Sequence, residues 1–212
     1  MASFQTPEAS VLKHQYAMPV VPPPEELISR EDHLRRKQQQ LGKETTTIDN
    51  DKLTEYDALP VESRHVPLTE DQRGLPVNAM WLRAKGDMSG LGHSHHQNML
   101  AYASDFALLS TALRPFQMDR AEAKYRLSML VSLDHTIWFH EHFRADEWLL
   151  YVMESPRTAS GRGLSIGRIY TRDGVLVAST AQEGVARSAA VDPTAGNDDE
   201  VLEFLSQIKA KL

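Results

Sequence analysis

Among the residues that could do chemistry, Asp105 is the most informative. It is the only charged side chain between Gln97 and Leu113, a stretch in which Met99, Tyr102, Ala103, Phe106, Leu109 and Leu113 recur at helical spacing. On such a helix its neighbours one turn away are Ala101, Tyr102, Leu108 and Leu109. A carboxylate in that setting is expected to be largely desolvated, which favours the protonated form and suits it to accept a proton or hold a water in a dry cleft. A capping role would instead need the helix to begin near residue 106 and would waste the periodicity before it. Ser132 and Gln182 are neutral polar residues on predicted strands. Taken alone, each reads as a satisfied hydrogen-bonding group of a sheet, and it gains chemical interest only if the fold sets it opposite Asp105.

Other clusters point less sharply. His93, His95 and His96 form the densest group of the 9 histidines, in a Gly- and Ser-rich stretch. They could bind a metal weakly, but no acidic or thiolate partner stands at a recognised spacing, so a loop is the preferred reading. Asp134 and His135 are expected to be adjacent on one strand, where side chains point to opposite faces and cannot cooperate directly. Arg157, Arg162, Arg168 and Arg172, interleaved with Gly161, Gly163 and Gly167, form a local basic strip. It suits contact with phosphates or, equally, a solvated strand edge.

The elements that must position these residues follow from periodicity and turn chemistry. Met80 to Lys85 alternates as a strand, Gly86 to Gly92 is a loop, and Gln97 to Leu113 is a helix apolar on most sides and therefore buried, closed by Arg114-Pro115. Leu130 to His140 alternates as a strand with a markedly more polar second face, and Trp148 to Met153 is a buried strand. Leu164 to Thr171 and Val175 to Val185 flank Asp173-Gly174, a strong hairpin signal. This order predicts an α+β domain in which an antiparallel sheet is wrapped round a central helix.

The whole chain bounds these readings. With 212 residues, 41% hydrophobic and 25% charged, it has the composition of a soluble globular protein. Its net charge of −6 offers no global attraction for nucleic acid or anionic lipid, and no apolar run is long enough for a membrane span. The absence of cysteine excludes thiolate metal sites and cysteine nucleophiles. Composition changes near residue 77. Before it the chain is rich in proline and charge, with Pro24, Glu25 and Glu26 suited to a first helical turn and Leu27, Leu34 and Leu41 forming a narrow seam that ends at Gly42. The expected division is an extended N-terminal linker segment over 1–77, a folded domain over 78–188, and an acidic tail over 189–212. The tail ends in Ala210-Lys211-Leu212, similar to the Ser-Lys-Leu peroxisomal address.

Several blocks also resemble a known family. Leu100 to Phe106, Leu133 to His140, Glu147 to Tyr151, Gly161 to Leu164 and Asp173 to Val185, in that order, resemble the acyl-CoA thioesterase II family, including its peroxisomal acyl-CoA thioesterase 8 branch. The resemblance implies a hotdog fold and hydrolysis of acyl-CoA thioesters to free fatty acid and CoA. It implies a catalytic trio at Asp105, Ser132 and Gln182, with no cofactor and no metal. Arg162, Gly163 and Arg168 are the candidate substrate-binding residues. The family joins two hotdogs in tandem. This chain resembles the C-terminal one, with Ala2 to Gln5 similar to the last strand of a preceding hotdog and the segment from His14 to Leu27 similar to the linker. Loss of that partner implies self-association to a homodimer or higher homo-oligomer, and gives weight to an alternative, ranked after hydrolysis, in which a truncated, catalytically impaired hotdog self-associates or binds acyl-CoA without turnover. A hydratase of this fold would be expected to carry a His beside its Asp, and the helix offers none after His96. The remaining expected partner is the peroxisomal import receptor.

Overall fold

A computed structural model describes residues 11–41, 58–67, 77–116 and 125–190. Its strands are β1 (Val61–His65), β2 (Val77–Ala84), β3 (Tyr125–Ser132), β4 (Thr136–Phe139), β5 (Leu149–Ala159), β6 (Arg162–Thr171) and β7 (Leu176–Ala190). They form a 7-stranded sheet in the order β1-β2-β5-β6-β7-β3, and β4 pairs with β7 end to end with β3. Every pairing is antiparallel. Turn chemistry sets the hairpins. Ser160 and Gly161 both take positive φ (56° and 73°), the mirror-image turn that matches strand twist. At Asp173-Gly174 the predicted hairpin closes with Gly174 at φ 88° and its N–H on the Thr171 carbonyl at 3.0 Å. β1 lies before the compositional change and carries too few apolar residues for its period of two to stand out.

The concave face of the sheet holds the core. Met80, Leu82, Leu149, Tyr151, Met153, Ile169 and Ala178 pack against Leu100, Ala103 and Leu108 from the helical segment. This is the antiparallel sheet wrapped round a helix that the sequence predicts. The outer face is covered by the N-terminal segment, whose Met18, Val21 and Leu27 lie on Trp81, Trp148, Leu150 and Tyr170. Polar contacts fasten that strap. Trp81 Nε1 donates to the Pro22 carbonyl at 2.9 Å, Gln15 bonds Gly174 and Leu176, and Arg172 grips Glu25 with both terminal guanidinium nitrogens.

Several expected elements are corrected. Pro24–Glu26 is a separate 3-10 turn, and α1 (Arg30–Leu41) starts later because Ser29 caps it, its Oγ accepting from Asp32 N–H at 3.0 Å. The predicted single helix from Gln97 to Leu113 is two pieces: α2 (His93–Ala103) and a 3-10 helix, Leu109–Phe116, with a turn between them. Serine and threonine hydroxyls make the break. Ser104 Oγ donates back to the Ala101 carbonyl, Ser110 and Thr111 donate to the Ala107 carbonyl, and Ala107 itself has φ 60°. Nor is α2 buried on most sides, since Ala101 and Tyr102 are exposed.

The predicted strand from Leu130 to His140 is also interrupted. Ser132 pairs with Gly184 and Thr136 with Ala181, so Leu133, Asp134 and His135 bulge against Gln182 and Glu183. The bulge is tied by Leu133 N–H on the Glu183 carbonyl and by Glu183 N–H on Asp134 Oδ1, each at 2.9 Å. No helix among the described residues is long and apolar enough to cross a membrane. Ala2 to Gln5, the side chains of Leu34 and Leu41, and the tail with Ala210-Lys211-Leu212 lie outside the described residues.

Candidate active site

The floor of the site is a set of side chains from β5, β6 and β7 that face α2. Tyr151 crosses from β5 over Gly167 of β6 to Thr180 of β7. A Cβ on Gly167 would lie 2.3 Å from the Tyr151 ring and 2.4 Å from Thr180 Oγ1, so only glycine admits this crossing. Tyr151 Oη donates to the Ser104 carbonyl at 2.8 Å and lies 2.9 Å from Thr180 Oγ1. A carbonyl only accepts, so the phenol proton belongs to Ser104 and Thr180 is the donor to Tyr151. Burial pushes the Tyr151 phenol well above its ordinary range, and the nearby Asp105 carboxylate adds to that, which keeps the donor in place.

Ser104 thus anchors the turn that carries Asp105. Its hydroxyl proton goes to Ala101, so His135 Nε2, 2.9 Å from Ser104 Oγ, serves as donor, and His135 Nδ1 is buried without a partner among the described residues. Ser132 lies just before the bulge that delivers His135, paired with Gly184 of β7.

At the next position along β7, Gln182 is 1% exposed and its Nε2 donates to Asp105 Oδ1 at 2.7 Å and to Ser132 Oγ at 2.8 Å. Both amide protons are thereby used. Ser132 accepts, so its own proton stays free for a further acceptor, and Asp105 retains a second carboxylate oxygen. The trio therefore meets, but Asp105 is not desolvated as expected. It is exposed, as is Ser132, because the helix ends at Ala103 and the carboxylate sits on the following turn. Beyond Gln182, Gly163 and Gly184 face each other across β6 and β7. Added Cβ atoms there would lie 2.6 Å from Ala112 Cβ and 2.4 Å from Leu109 Cδ1, so the 3-10 helix rests on bare backbone.

The remaining candidates are not brought to this site. Arg162 and Arg168 point from the outer face of β6, paired with Glu183 and Glu154 at 2.7 and 2.8 Å, and Arg168 also stacks over Tyr16. Gly163 faces inward but seats Ala112. His93 stacks on His142 with ring centroids 4.0 Å apart, and burial together with His142 and His96 holds it below the usual histidine range. His96 Nδ1 accepts from Ala145 N–H. Among the described residues no group of His, Asp and Glu could hold a metal ion. Ser104, Tyr151 and Thr180 are contributors that the sequence does not single out, and His135, set aside there with Asp134, joins them. For Ser104 alone there is a local signal, the run of hydroxyl-bearing residues inside the expected helix.

Fold and site together define a hotdog domain whose concave face presents a hydrogen-bonded Asp, Ser and Gln. The profile of the acyl-CoA thioesterase family matches residues 50–185, and the chain belongs to that family. It is 42% identical over 193 residues to acyl-coenzyme A thioesterase 8 of Rattus norvegicus, a match spanning 88% of this chain and 58% of that protein. The chain thus spans less than two thirds of that relative's length. The peroxisomal acyl-coenzyme A thioester hydrolase 1 of Saccharomyces cerevisiae is 36% identical over 85 residues, 40% of this chain and 23% of that protein. Among solved structures, the acyl-CoA thioesterase II TesB2 of Mycobacterium marinum superposes with a TM-score of 0.64 at 32% identity, covering 86% of this chain and 60% of that one.

Proposed function

We propose that this chain hydrolyses acyl-CoA thioesters to free fatty acid and CoA, using a water held by Asp105, Ser132 and Gln182. The observation that carries this reading is the Gln182 amide nitrogen donating to both Asp105 and Ser132. With Gln182 fixing the pair, the free oxygen of Asp105 accepts a proton from the water and the free Ser132 hydroxyl donates to the water's oxygen, leaving one lone pair to attack. The water oxygen bonds to the thioester carbon, its proton passes to Asp105, and the C–S bond breaks to release CoA thiolate. A thiol with a pKa of about 8.5 leaves as the thiolate without a dedicated acid.

The partner in this reading is a second copy of the chain. The edge formed by β3 and β4 exposes Val131 (51%), Leu133 (47%) and Trp138 (51%), an unpaired and apolar strand edge that a homodimer or higher oligomer would cover. On the helix side Leu91, Met99 and Tyr102 line an apolar groove of about 370 Å³. The proposed location is the peroxisome, through recognition of Ala210-Lys211-Leu212 by the import receptor, and a fluorescent fusion bearing these residues should co-localise with a Ser-Lys-Leu control.

Thiol release, measured with a chromogenic disulfide across acyl chain lengths, with mass by light scattering on the same sample, tests the reading. Thiol release from an oligomer is expected. Binding of acyl-CoA without release would favour a non-catalytic hotdog, and a monomeric mass at micromolar concentration would remove the partner copy.

A further inference from the structure

Ser165 and Gln182 are direct partners across β6 and β7, and both face the concave side of the sheet. They are 0% and 1% exposed. Each carries a buried oxygen without a partner among the described residues, Ser165 Oγ and Gln182 Oε1. Unsatisfied buried polar atoms are uncommon singly, and two of them side by side on facing residues mark a shared missing partner. Facing Cβ atoms in an antiparallel pair are about 5 Å apart, close enough for one water to span a serine hydroxyl and a glutamine carbonyl.

The amide also needs such a partner. Its orientation, nitrogen toward Asp105 and Ser132, is imposed from one side by the Asp105 carboxylate. When Asp105 takes up a proton during turnover, that constraint weakens, because a neutral acid can donate to the carbonyl of a flipped amide. A donor on the Oε1 side would hold the orientation through the whole cycle.

We propose that Ser165 is a positioning residue for Gln182, its hydroxyl bridged to Gln182 Oε1 by one buried water that fixes the amide. The inference rests on the hydrolytic reading of the site, and its test separates the two. Ser165→Ala keeps the volume nearly unchanged and removes the hydroxyl. It should lower kcat about tenfold with KM within about twofold, and in a Gln182→Ala background the same change should alter thiol release by less than about twofold. An unchanged kcat in Ser165→Ala, or an equal loss in both backgrounds, overturns the proposal while the hydrolytic reading stands. A high-resolution crystal structure of the full chain gives a readout independent of activity. Density for a water within about 3.2 Å of both oxygens is expected. An empty or apolar gap overturns the proposal, even if the wild-type chain releases no thiol and the hydrolytic reading has itself failed.

Discussion

The phenol of Tyr151 is hydrogen-bonded to the carbonyl of Ser104 at 2.8 Å, so the residue that precedes Asp105 is fastened to the floor of the sheet. The position of the carboxylate is therefore set from β5, some distance away in sequence, as well as by the helix that leads into it, whose Leu100 carbonyl accepts from the Ser104 N–H. Tyr151→Phe leaves the Ser104 carbonyl and the Thr180 hydroxyl unpaired in a buried place. It should destabilise the fold by about 1–3 kcal/mol, read as a lower urea midpoint at unchanged m-value. It should also lower thiol release, because the turn bearing Asp105 loses its anchor. An unchanged midpoint would mean that the hydrogen bond contributes nothing to holding the turn.

Asp105→Asn keeps the shape of the side chain but removes the carboxylate proposed as the base. Because Asp105 is exposed, the substitution should leave the melting temperature within a few degrees of wild type. Thiol release should fall by about 10²–10⁴-fold. Wild-type turnover in this variant would remove Asp105 from the mechanism.

Much of this architecture is legible in the sequence, and the failures have physical causes. β2 and β6 lie where alternation and Asp173-Gly174 place them, because their signals are local, while β5 and β7 begin as expected and run on past Met153 and Val185 to Ala159 and Ala190. The break after Ala103 is concealed because the apolar periodicity continues through it. It follows from side-chain hydroxyls competing for backbone carbonyls and from the need to seat Leu109 and Ala112 on Gly184 and Gly163. The bulge at Leu133–His135 is hidden for the same reason: alternation continues through it, and only pairing with β7 reveals the extra residue. Asp105 was identified as the one charge in an apolar stretch, although the burial expected from that stretch is absent. The opposite facing of Arg162 and Gly163 follows from their adjacency on one strand, a consequence of strand geometry that a composition-based strip of arginines conceals.

Acid should loosen the loop that precedes α2. The Arg144 guanidinium, hydrogen-bonded to Asp146, holds that carboxyl well below its ordinary range, and the Met88 N–H adds to this. At Glu62 burial works the other way, but the hydrogen bonds from Arg64 and Arg83 outweigh it and the net shift is downward. A carboxyl whose folded value lies below its unfolded one binds more protons when unfolded. Its contribution is fully present above about pH 5 and is lost as pH falls below about 4 through the folded value. Urea midpoints measured between pH 7 and pH 2 should drop in acid for wild type, and the slope should be shallower in Asp146→Asn. Identical slopes would show that the acid sensitivity arises elsewhere.

Gly184 is the sharpest steric test of how the site is assembled. It pairs with Ser132 on one side and Gly163 on the other, and Leu109 lies directly over it. A Cβ would come within 2.4 and 2.6 Å of the Leu109 methyls and 2.8 Å of the Val131 carbonyl oxygen. The methyls can swing aside, but the carbonyl belongs to β3 and moves only if the pairing that presents Ser132 moves with it. Gly184→Ala should therefore destabilise by about 1–3 kcal/mol and reduce thiol release as well, since Ser132 is displaced from Gln182. Leu109→Ala alone should cost about 2–5 kcal/mol through the cavity it leaves. Combined, the two changes relieve part of each other's strain, so the double variant should be less destabilised than the sum of the single ones. Unfolding midpoints of the four proteins give the coupling directly. Strict additivity would mean that Leu109 and Gly184 are not in the close contact that seats the 3-10 helix on the sheet.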